Sequence, residues 1–263
     1  MRRVLFSIWT WFEFLSMSVL MVPVMGSAAL LHRAKDPGRR ARGQWMRRYG
    51  RWCSALTPLW HFRTEGAPPA DFGTKAYVVV SNHESNADPF LLCFLHMDMR
   101  WVAKEEIFKL PLLGALMHFG GDIKLRRGDA GSVKQMFDEC KSTLGAGVSV
   151  MLFPEGTRSK TPELLPFKDG AFKLALEAGV DVLPLALAGT RDCMPKGQGW
   201  MGDAHAVVRV LEPIRSQGHT VESLKQLAFE RISGAVKELR QTVAEQNGTQ
   251  AAPALAPRHV SEA

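Results

Sequence analysis

The sequence predicts a single α/β domain with a central mixed sheet flanked by helices, preceded by N-terminal membrane-associated helices. Two patterns indicate this fold class. From about Lys75 onward, short apolar runs rich in β-branched residues alternate with segments of helical periodicity, as in α/β domains. Before them lies an uncharged apolar segment followed by many basic residues, as in membrane anchors. The 263 residues suffice for one full core and such an appendage.

The apolar segment runs from Phe14 to Leu31, eighteen residues without a charge. As a helix it would be about 27 Å long, close to the ~30 Å thickness of a bilayer's hydrocarbon core. Three interpretations stay open: a spanning helix, a helix hairpin or monotopic anchor, and a cleaved signal peptide ending near Gly26-Ser27-Ala28. The eight Lys and Arg residues between Arg33 and Arg51 resist translocation. We therefore expect attachment to the inner cell membrane, with the domain facing the cytoplasm.

A second N-terminal helix is predicted just beyond. Apolar residues recur there every three or four positions and share one helical face, while arginines lie on another flank. Such a helix suits the headgroup layer of an anionic membrane surface, and plain packing on the domain is the alternative. The apolar positions are Trp45, Tyr49, Trp52, Leu56 and Trp60, and the arginines are Arg47, Arg48 and Arg51.

The remaining elements divide the chain into three parts. We expect the anchor and amphipathic helix in residues 1–62, the α/β domain in 63–246 and a disordered tail in 247–263, which is rich in Ala and Pro. Strands are predicted at Ala76–Ser81, Val148–Phe153, Val182–Ala188 and Ala206–Leu211. Helices are predicted from a capping box at Ser132-x-x-Gln135 to Gly145, at Ala171–Ala178 and at Val221–Val243.

Charge and cysteine placement exclude several function classes. The net charge of +7 arises from residues 1–51, which contain ten Lys and Arg against two acidic residues, so the body is nearly neutral. With no nucleic-acid fold signature either, we expect no nucleic-acid partner. The four cysteines have neither metal-ligand nor redox-motif spacing. We therefore expect reduced thiols and no metal.

The segment with the clearest chemistry follows the first predicted strand. His83 and Asp88 lie five residues apart, about 140° around a regular helix, so they could not share one face if both were helical. If His83 instead lies in a turn and Asp88-Pro89 opens a helix, the carboxylate can fold back to the imidazole. That pair would form a general base with its orienting acid. From the residue types alone, Asp88 could equally be a helix cap and His83 a polar loop residue.

Four blocks in order resemble the glycerolipid acyltransferases, in particular the 1-acyl-glycerol-3-phosphate acyltransferases. Asn82-His83-x4-Asp88 resembles the first block of that family, and Gly121 to Arg127 (GDIKLRR) resembles the second. Phe153 to Ser159 (FPEGTRS) matches the third almost letter for letter, and Val182 to Leu187 (VLPLAL) resembles the fourth. The likeness extends from about Lys75 to Pro213, over half of the chain.

The resemblance implies specific roles for these residues. His83 would be the base, oriented by Asp88, and would activate a lysolipid hydroxyl for direct attack on an acyl thioester, without an acyl-enzyme. Arg127, with Lys104 in a stretch similar to another of the family, would bind the acceptor phosphate. The third block is assigned to acceptor binding, where Glu155 would contact acceptor hydroxyls or anchor Arg158. The implied substrate-binding residues are Arg127, Lys104, Glu155, Gly156, Thr157, Arg158 and Asn82.

The expected partners follow from that chemistry. The acceptor would be 1-acyl-glycerol-3-phosphate, with phosphatidate as the product, and the donor would be acyl-CoA or acyl carrier protein, with no further cofactor. Lys124 and Arg126 make the second block more basic than the usual pattern, so another lysolipid, such as a lyso-aminolipid, is the closest alternative. A thioesterase and a non-catalytic membrane-binding protein are alternatives of different classes. The membrane-binding protein would not need both His83 and Asp88, and a thioesterase would release the carrier without an acceptor.

Overall fold

The computed structural model describes residues 1–31, 36, 38–159, 161–195 and 197–246. Within these residues, seven strands form one sheet in the order β1-β7-β6-β2-β5-β3-β4. Strands β6, β2, β5, β3 and β4 are parallel to one another, and β7 runs antiparallel to β6. The sheet is therefore mixed, as predicted. The strands are β1 Trp60–Glu65, β2 Val78–Ser81, β3 Met99–Lys104, β4 Ile123–Leu125, β5 Ser149–Leu152, β6 Val182–Ala188 and β7 Ala204–Val210.

Helices cover both faces of the sheet, which gives three layers. In β2, Val79 points into a core shared with α1, α2, α3 and α5, whereas Val78 and Val80 point into a core shared with α6, α7 and α9. This burial on both faces explains the continuous apolar runs of the central strands. The helices are α1 Arg2–Leu31, α2 Arg40–Leu56, α3 Asp88–Leu92, α4 Glu105–Phe108, α5 Leu113–Gly120, α6 Ala130–Gly145, α7 Gly170–Ala178, α8 Thr190–Cys193 and α9 Val221–Gln246.

All four predicted strands are present, each within a few residues of its expected bounds. Strands β1, β3 and β4 were not predicted. The sequence of β1 (WHFRTE) shows little apolar alternation, and β4 has only three residues. The cap of α6 is also corrected: Asp129 accepts from the backbone N–H of Ser132 at 2.8 Å, so the helix begins before the expected capping box.

Helix α1 lies along the domain and contributes to its core. Phe14 packs on Trp60 and Phe90, with ring centroids 5.9 and 4.9 Å away, and Met25 is fully buried. Near its N-terminus the Ser7 hydroxyl accepts from the backbone N–H of Met201 at 2.9 Å. By length and composition, α1 is the one helix among the described residues that could cross a membrane.

The opposite face of α1 is apolar and exposed. It presents large side chains that are 46–61% exposed, of which only the indole N–H groups of Trp9 and Trp11 bond to described residues elsewhere, the carbonyls of Leu56 and Gly199. A soluble protein rarely exposes so continuous an apolar surface, so this face is typical of contact with lipid or another apolar surface. The exposed residues are Leu5, Ile8, Trp9, Trp11, Phe12, Leu15, Val19 and Leu20.

Helix α2 corrects the expectation for its arginines. Arg47 is buried: its Nη2 donates to both carboxylate oxygens of Asp122, at 2.6 and 2.8 Å, and its guanidinium lies 3.8 Å from the ring centroid of Trp101. It therefore holds α2 to the sheet and does not face headgroups, whereas Arg48 stays exposed. Trp60 lies in β1, not in the helix.

The expected apolar face of α2 is also mostly covered. Tyr49 is buried against α1, where its hydroxyl lies 2.8 Å from that of Ser18. Trp45 and Trp52 are half-buried, and Leu56 is exposed. Both N-terminal helices thus pack on the α/β domain. The division at residue 62 stays a prediction, and the expected tail, residues 247–263, lies outside the described residues.

Candidate active site

His83 and Asp88 meet at the carboxyl end of the central strand β2. The Nδ1 atom of His83 lies 2.6 Å from Oδ2 of Asp88. Asp88 begins the short helix α3, with Pro89 next, so the intervening turn folds the carboxylate back to the imidazole as expected. The Asp88 side chain is fully buried, whereas 17% of the His83 side chain is exposed. The pair leaves Nε2 of His83 as the ring nitrogen available to a substrate.

The Asp88 carboxylate is fixed by further donors. Oδ2 also accepts from the backbone N–H of Glu84 at 2.8 Å, and both oxygens lie 3.1 Å from the N–H of Ser85. The hydroxyl of Thr190, on α8, donates to Oδ1. Hydrogen bonds to the charged form favour an ionised carboxylate even when it is buried. A charged Asp88 fixes the His83 tautomer with its proton on Nδ1 and would stabilise the imidazolium.

The segment after β5 supports His83 from the other side. The imidazole stacks on Phe153 with centroids 4.0 Å apart and an interplanar angle of 16°. Glu155 is buried, and its two carboxylate oxygens accept from the backbone N–H groups of His83 at 2.7 Å and of Leu165 at 2.8 Å. Burial raises the pKa of Glu155, and the two backbone donors oppose that shift. The observed contacts of Glu155 are thus to backbone groups, and its two expected roles, acceptor contact and an anchor for Arg158, stay predictions.

The other flank of the turn is tied to β6. The side chain of Asn82 donates to the carbonyl of Leu187 at 2.9 Å and accepts from its N–H at 3.0 Å. With both amide atoms engaged and the side chain buried, Asn82 extends the pairing of β2 with β6, and its expected role in substrate binding stays a prediction. Glu84 accepts from Arg240 of α9 at 2.7 Å and from the N–H of Gly189 at 3.2 Å. Burial raises the pKa of Glu84, and Arg240 opposes that shift.

Cationic residues occupy the same edge of the sheet. Because β2, β5, β3 and β4 are parallel, their carboxyl ends lie side by side, the position where open α/β sheets bind ligands. Lys104 is the last residue of β3, Arg127 follows β4 by two residues, and Arg158 belongs to the segment after β5. Among the described residues none of the three has a hydrogen-bond or ion-pair partner. They are therefore free to bind an anion.

The neighbouring residues of these blocks differ in their engagement. Arg126 donates to the carboxylate of Glu105 at 2.5 and 3.0 Å, and this bond lowers the pKa of Glu105 to about 2. Arg126 is thus engaged in an exposed ion pair with Glu105, whereas Arg127 has no such partner among the described residues. Gly156 adopts a positive φ of 70°, which turns the chain after β5, and Thr157 is exposed beside it.

Comparison with known proteins agrees with this arrangement. The family model described as acyltransferase matches residues 62–188, which contain the His83 turn, the end of β4 and the segment after β5. This chain belongs to the acyltransferase family. The acyltransferase match ends just before Gly189 and Thr190, and α9 also lies outside it.

Several individual relatives are 1-acyl-sn-glycerol-3-phosphate acyltransferases by name. One from Chlamydomonas reinhardtii is 33% identical over 75% of this chain and 58% of its own length. The chloroplastic relative from Arabidopsis thaliana is 35% identical over 68% of this chain and 50% of its length. One from Haemophilus influenzae is 25% identical over 87% of this chain and 94% of its own. The chain spans about half the length of the plant and algal relatives.

A solved structure confirms the fold of the acyltransferase. The crystal structure of the 1-acyl-sn-glycerophosphate acyltransferase PlsC from Thermotoga maritima superposes with a TM-score of 0.77 at 24% identity. The alignment covers 90% of this chain and 96% of that one, so the N-terminal helices belong to the shared architecture.

Proposed function

We propose that this acyltransferase transfers a fatty acyl group from an acyl thioester to the free sn-2 hydroxyl of 1-acyl-sn-glycerol-3-phosphate, giving phosphatidate. The observation that supports this most is the His83–Asp88 pair, 2.6 Å apart, at the edge of the sheet that also holds three cations with no partner in the described part of the chain. A base beside an anion site fits an acceptor that has both a hydroxyl and a phosphomonoester. The names of the relatives point to the same acceptor.

The reaction follows from the orientation of His83. As the acceptor hydroxyl oxygen attacks the thioester carbonyl carbon, Nε2 takes its proton, and Asp88 stabilises the imidazolium through Nδ1. The tetrahedral intermediate collapses as the carbon–sulfur bond breaks, and the imidazolium returns the proton to the departing sulfur. A thioester is already activated, so direct transfer needs no acyl-enzyme. The residues described provide the base, its orientation and charge for the acceptor.

Arg127 is our candidate for the principal phosphate contact. Arg127→Ala should raise the KM for lysophosphatidate about tenfold or more with a smaller change in kcat, because it removes a charge-assisted contact made in both ground and transition states. For acceptors without a phosphomonoester, the KM should rise much less. Initial rates of thiol release over a range of acceptor concentrations measure both constants.

Arg126→Ala is the matched control, because Arg126 is adjacent and exposed but already paired with Glu105. It should change the KM by less than about threefold, as expected for an exposed ion pair. If Arg127→Ala raised the KM equally for phosphorylated and unphosphorylated acceptors, Arg127 would not be a phosphate contact.

We further propose that the exposed face of α1 attaches the protein to the cytoplasmic side of the inner cell membrane. The acceptor is a lipid while the donor is water-soluble acyl-CoA or an acyl carrier protein, so the site must meet the bilayer from the aqueous side. The packing of α1 along the domain supports a monotopic arrangement over a helix that leaves the domain to span the bilayer. Exposed arginines such as Arg48 would add attraction to anionic lipids.

Charges placed on this face test the attachment without exposing the core. Leu15 and Val19 are 59% and 52% exposed, so Leu15→Asp with Val19→Asp should fold normally. Losing two buried apolar groups costs at least ~3 kcal/mol of membrane affinity, roughly 100-fold in partitioning. Flotation with anionic vesicles measures the binding. Turnover should fall on vesicle-embedded acceptor and persist on detergent-dispersed acceptor.

Val133→Asp on α6 is the control, because Val133 is 37% exposed on the opposite face of the sheet. That variant should bind vesicles like the unaltered protein. Undiminished flotation of the α1 variant would instead reject this face as the attachment surface.

The acceptor and the reaction class are tested together by a panel of donors and lysolipids. Thiol release from acyl-CoA and from acyl carrier protein should require an acceptor and be fastest with lysophosphatidate. Preference for a lyso-aminolipid would favour the alternative acceptor. Thiol release without any acceptor would indicate a thioesterase.

A further inference from the structure

The turn that contains His83 is held by a segment outside the recognised blocks. This segment is the junction of β6 and α8, where Gly189 is followed by Thr190. Gly189 has a φ of 93°, and a Cβ there would lie 2.2 Å from the carbonyl oxygen of His205, so no other residue fits. This tight corner delivers the fully buried Thr190 hydroxyl to Oδ1 of Asp88.

Two further contacts position the same corner against the turn. The amide of Asn82 is paired with the backbone of Leu187, two residues before Gly189. The N–H of Gly189 itself donates to Glu84, whose other carboxylate oxygen accepts from Arg240 of α9. The hydroxyl of Thr190 is thus one of a set of contacts that align the corner with the base. It is the one that reaches the carboxylate of the pair.

We propose that Thr190 is a positioning residue for catalysis, whose hydroxyl fixes the rotation of the Asp88 carboxylate and thereby the orientation of His83. A carboxylate that accepts only from backbone N–H groups and the imidazole has fewer constraints on its rotation. With Thr190 bonded to Oδ1, Oδ2 is held toward Nδ1 of His83. The inference rests on the proposed role of His83 as the base.

Among the described residues, the hydroxyl is one of four groups on the Asp88 carboxylate, with the imidazole and the backbone N–H groups of Glu84 and Ser85. The other three belong to the turn itself, whereas the Thr190 hydroxyl comes from α8. A substitution at position 190 therefore removes one constraint on the carboxylate and leaves the bonds within the turn in place.

A pair of substitutions separates the hydroxyl from the methyl group of this buried side chain. Thr190→Val keeps the shape and removes the donor, whereas Thr190→Ser keeps the donor and removes the methyl group. Thr190→Val should lower kcat about tenfold and leave the KM for the acceptor within about twofold. Thr190→Ser should stay near the unaltered protein in both constants. The opposite order, with the valine variant active and the serine variant impaired, would mean that Thr190 serves packing alone.

The ring spectrum of His83 makes the result independent of the acceptor. The ring signal of His83, assigned by its absence from His83→Ala, should move in Thr190→Val, where the orientation of the imidazole is no longer fixed, and should stay in place in Thr190→Ser. An unchanged signal in Thr190→Val would overturn the inference even if the protein acylates lysophosphatidate as proposed. Failure of the unaltered protein to acylate any lysolipid would instead reject the proposed function and leave this shift still measurable.

Discussion

His83→Ala should lower the rate of acyl transfer by about 10²–10⁴-fold, the usual contribution of a general base. The substitution removes the atom that takes the hydroxyl proton, while the backbone bonds of His83 to Glu155 and Ser159 do not depend on the ring. Acceptor binding should therefore change little. Asp88→Asn should also lose most of the rate, because an amide cannot both accept from the N–H groups of the turn and stabilise an imidazolium. Steady-state rates with lysophosphatidate measure both effects.

His61→Ala is the control for this prediction. His61 lies on β1, about half exposed, where it contacts the exposed Asp203 and stacks on His205, away from the His83 turn. It should retain full activity. The assignment of His83 fails if His83→Ala has a normal unfolding midpoint and still retains more than a few per cent of the rate.

Arg47→Met should lower the free energy of unfolding by about 3–5 kcal/mol, the range for breaking one side of a buried ion pair. Its guanidinium is 5% exposed and Asp122 is fully buried, so the variant leaves a buried carboxylate with only the N–H of Trp101 as a donor. The stacking on Trp101 is lost as well. Since many domains have only 5–15 kcal/mol in total, the unfolding midpoint in denaturant should fall sharply.

Arg48→Met serves as the comparison, because Arg48 lies next in α2 and is exposed, with its guanidinium 5.0 Å from the Trp45 ring. Its unfolding midpoint in detergent should change little, whereas its binding to anionic vesicles should weaken. Similar midpoints for the two variants would show that the Arg47–Asp122 pair does not hold α2 to the sheet.

The sequence predicted the elements whose signal is local. Strands β2, β5 and β6 are continuous apolar runs, and His83 and Asp88 lie within one short turn, so the pairing needed only that turn to close. Strand β4 could not be predicted, because three residues are too few to show an alternation of apolar and polar side chains. Its pairing with β3 also joins segments that lie about twenty residues apart in the chain.

The side-chain contacts that the sequence did not predict depend on distant partners. Arg47 resembles its exposed neighbour Arg48 in sequence and differs only because Asp122, 75 residues away, lies beside it in the fold. Glu155 and Asn82 were expected to face substrate, yet their partners are backbone groups of the turn and of Leu187. Thr190, 102 residues from Asp88, had no signal in the sequence at all.

The most direct test of acyl transfer with His83 as the base is to count thiol and phosphatidate in the same reaction. Anionic vesicles that contain lysophosphatidate are mixed with acyl-CoA and the protein. Thiol and phosphatidate are then quantified, together with any acyl group attached to the protein. We expect one phosphatidate for each thiol, no acylated protein, and at most about 1% of either product rate with His83→Ala. Thiol without phosphatidate, stoichiometric acyl-protein, or equal phosphatidate from His83→Ala would contradict direct transfer by a His83 base.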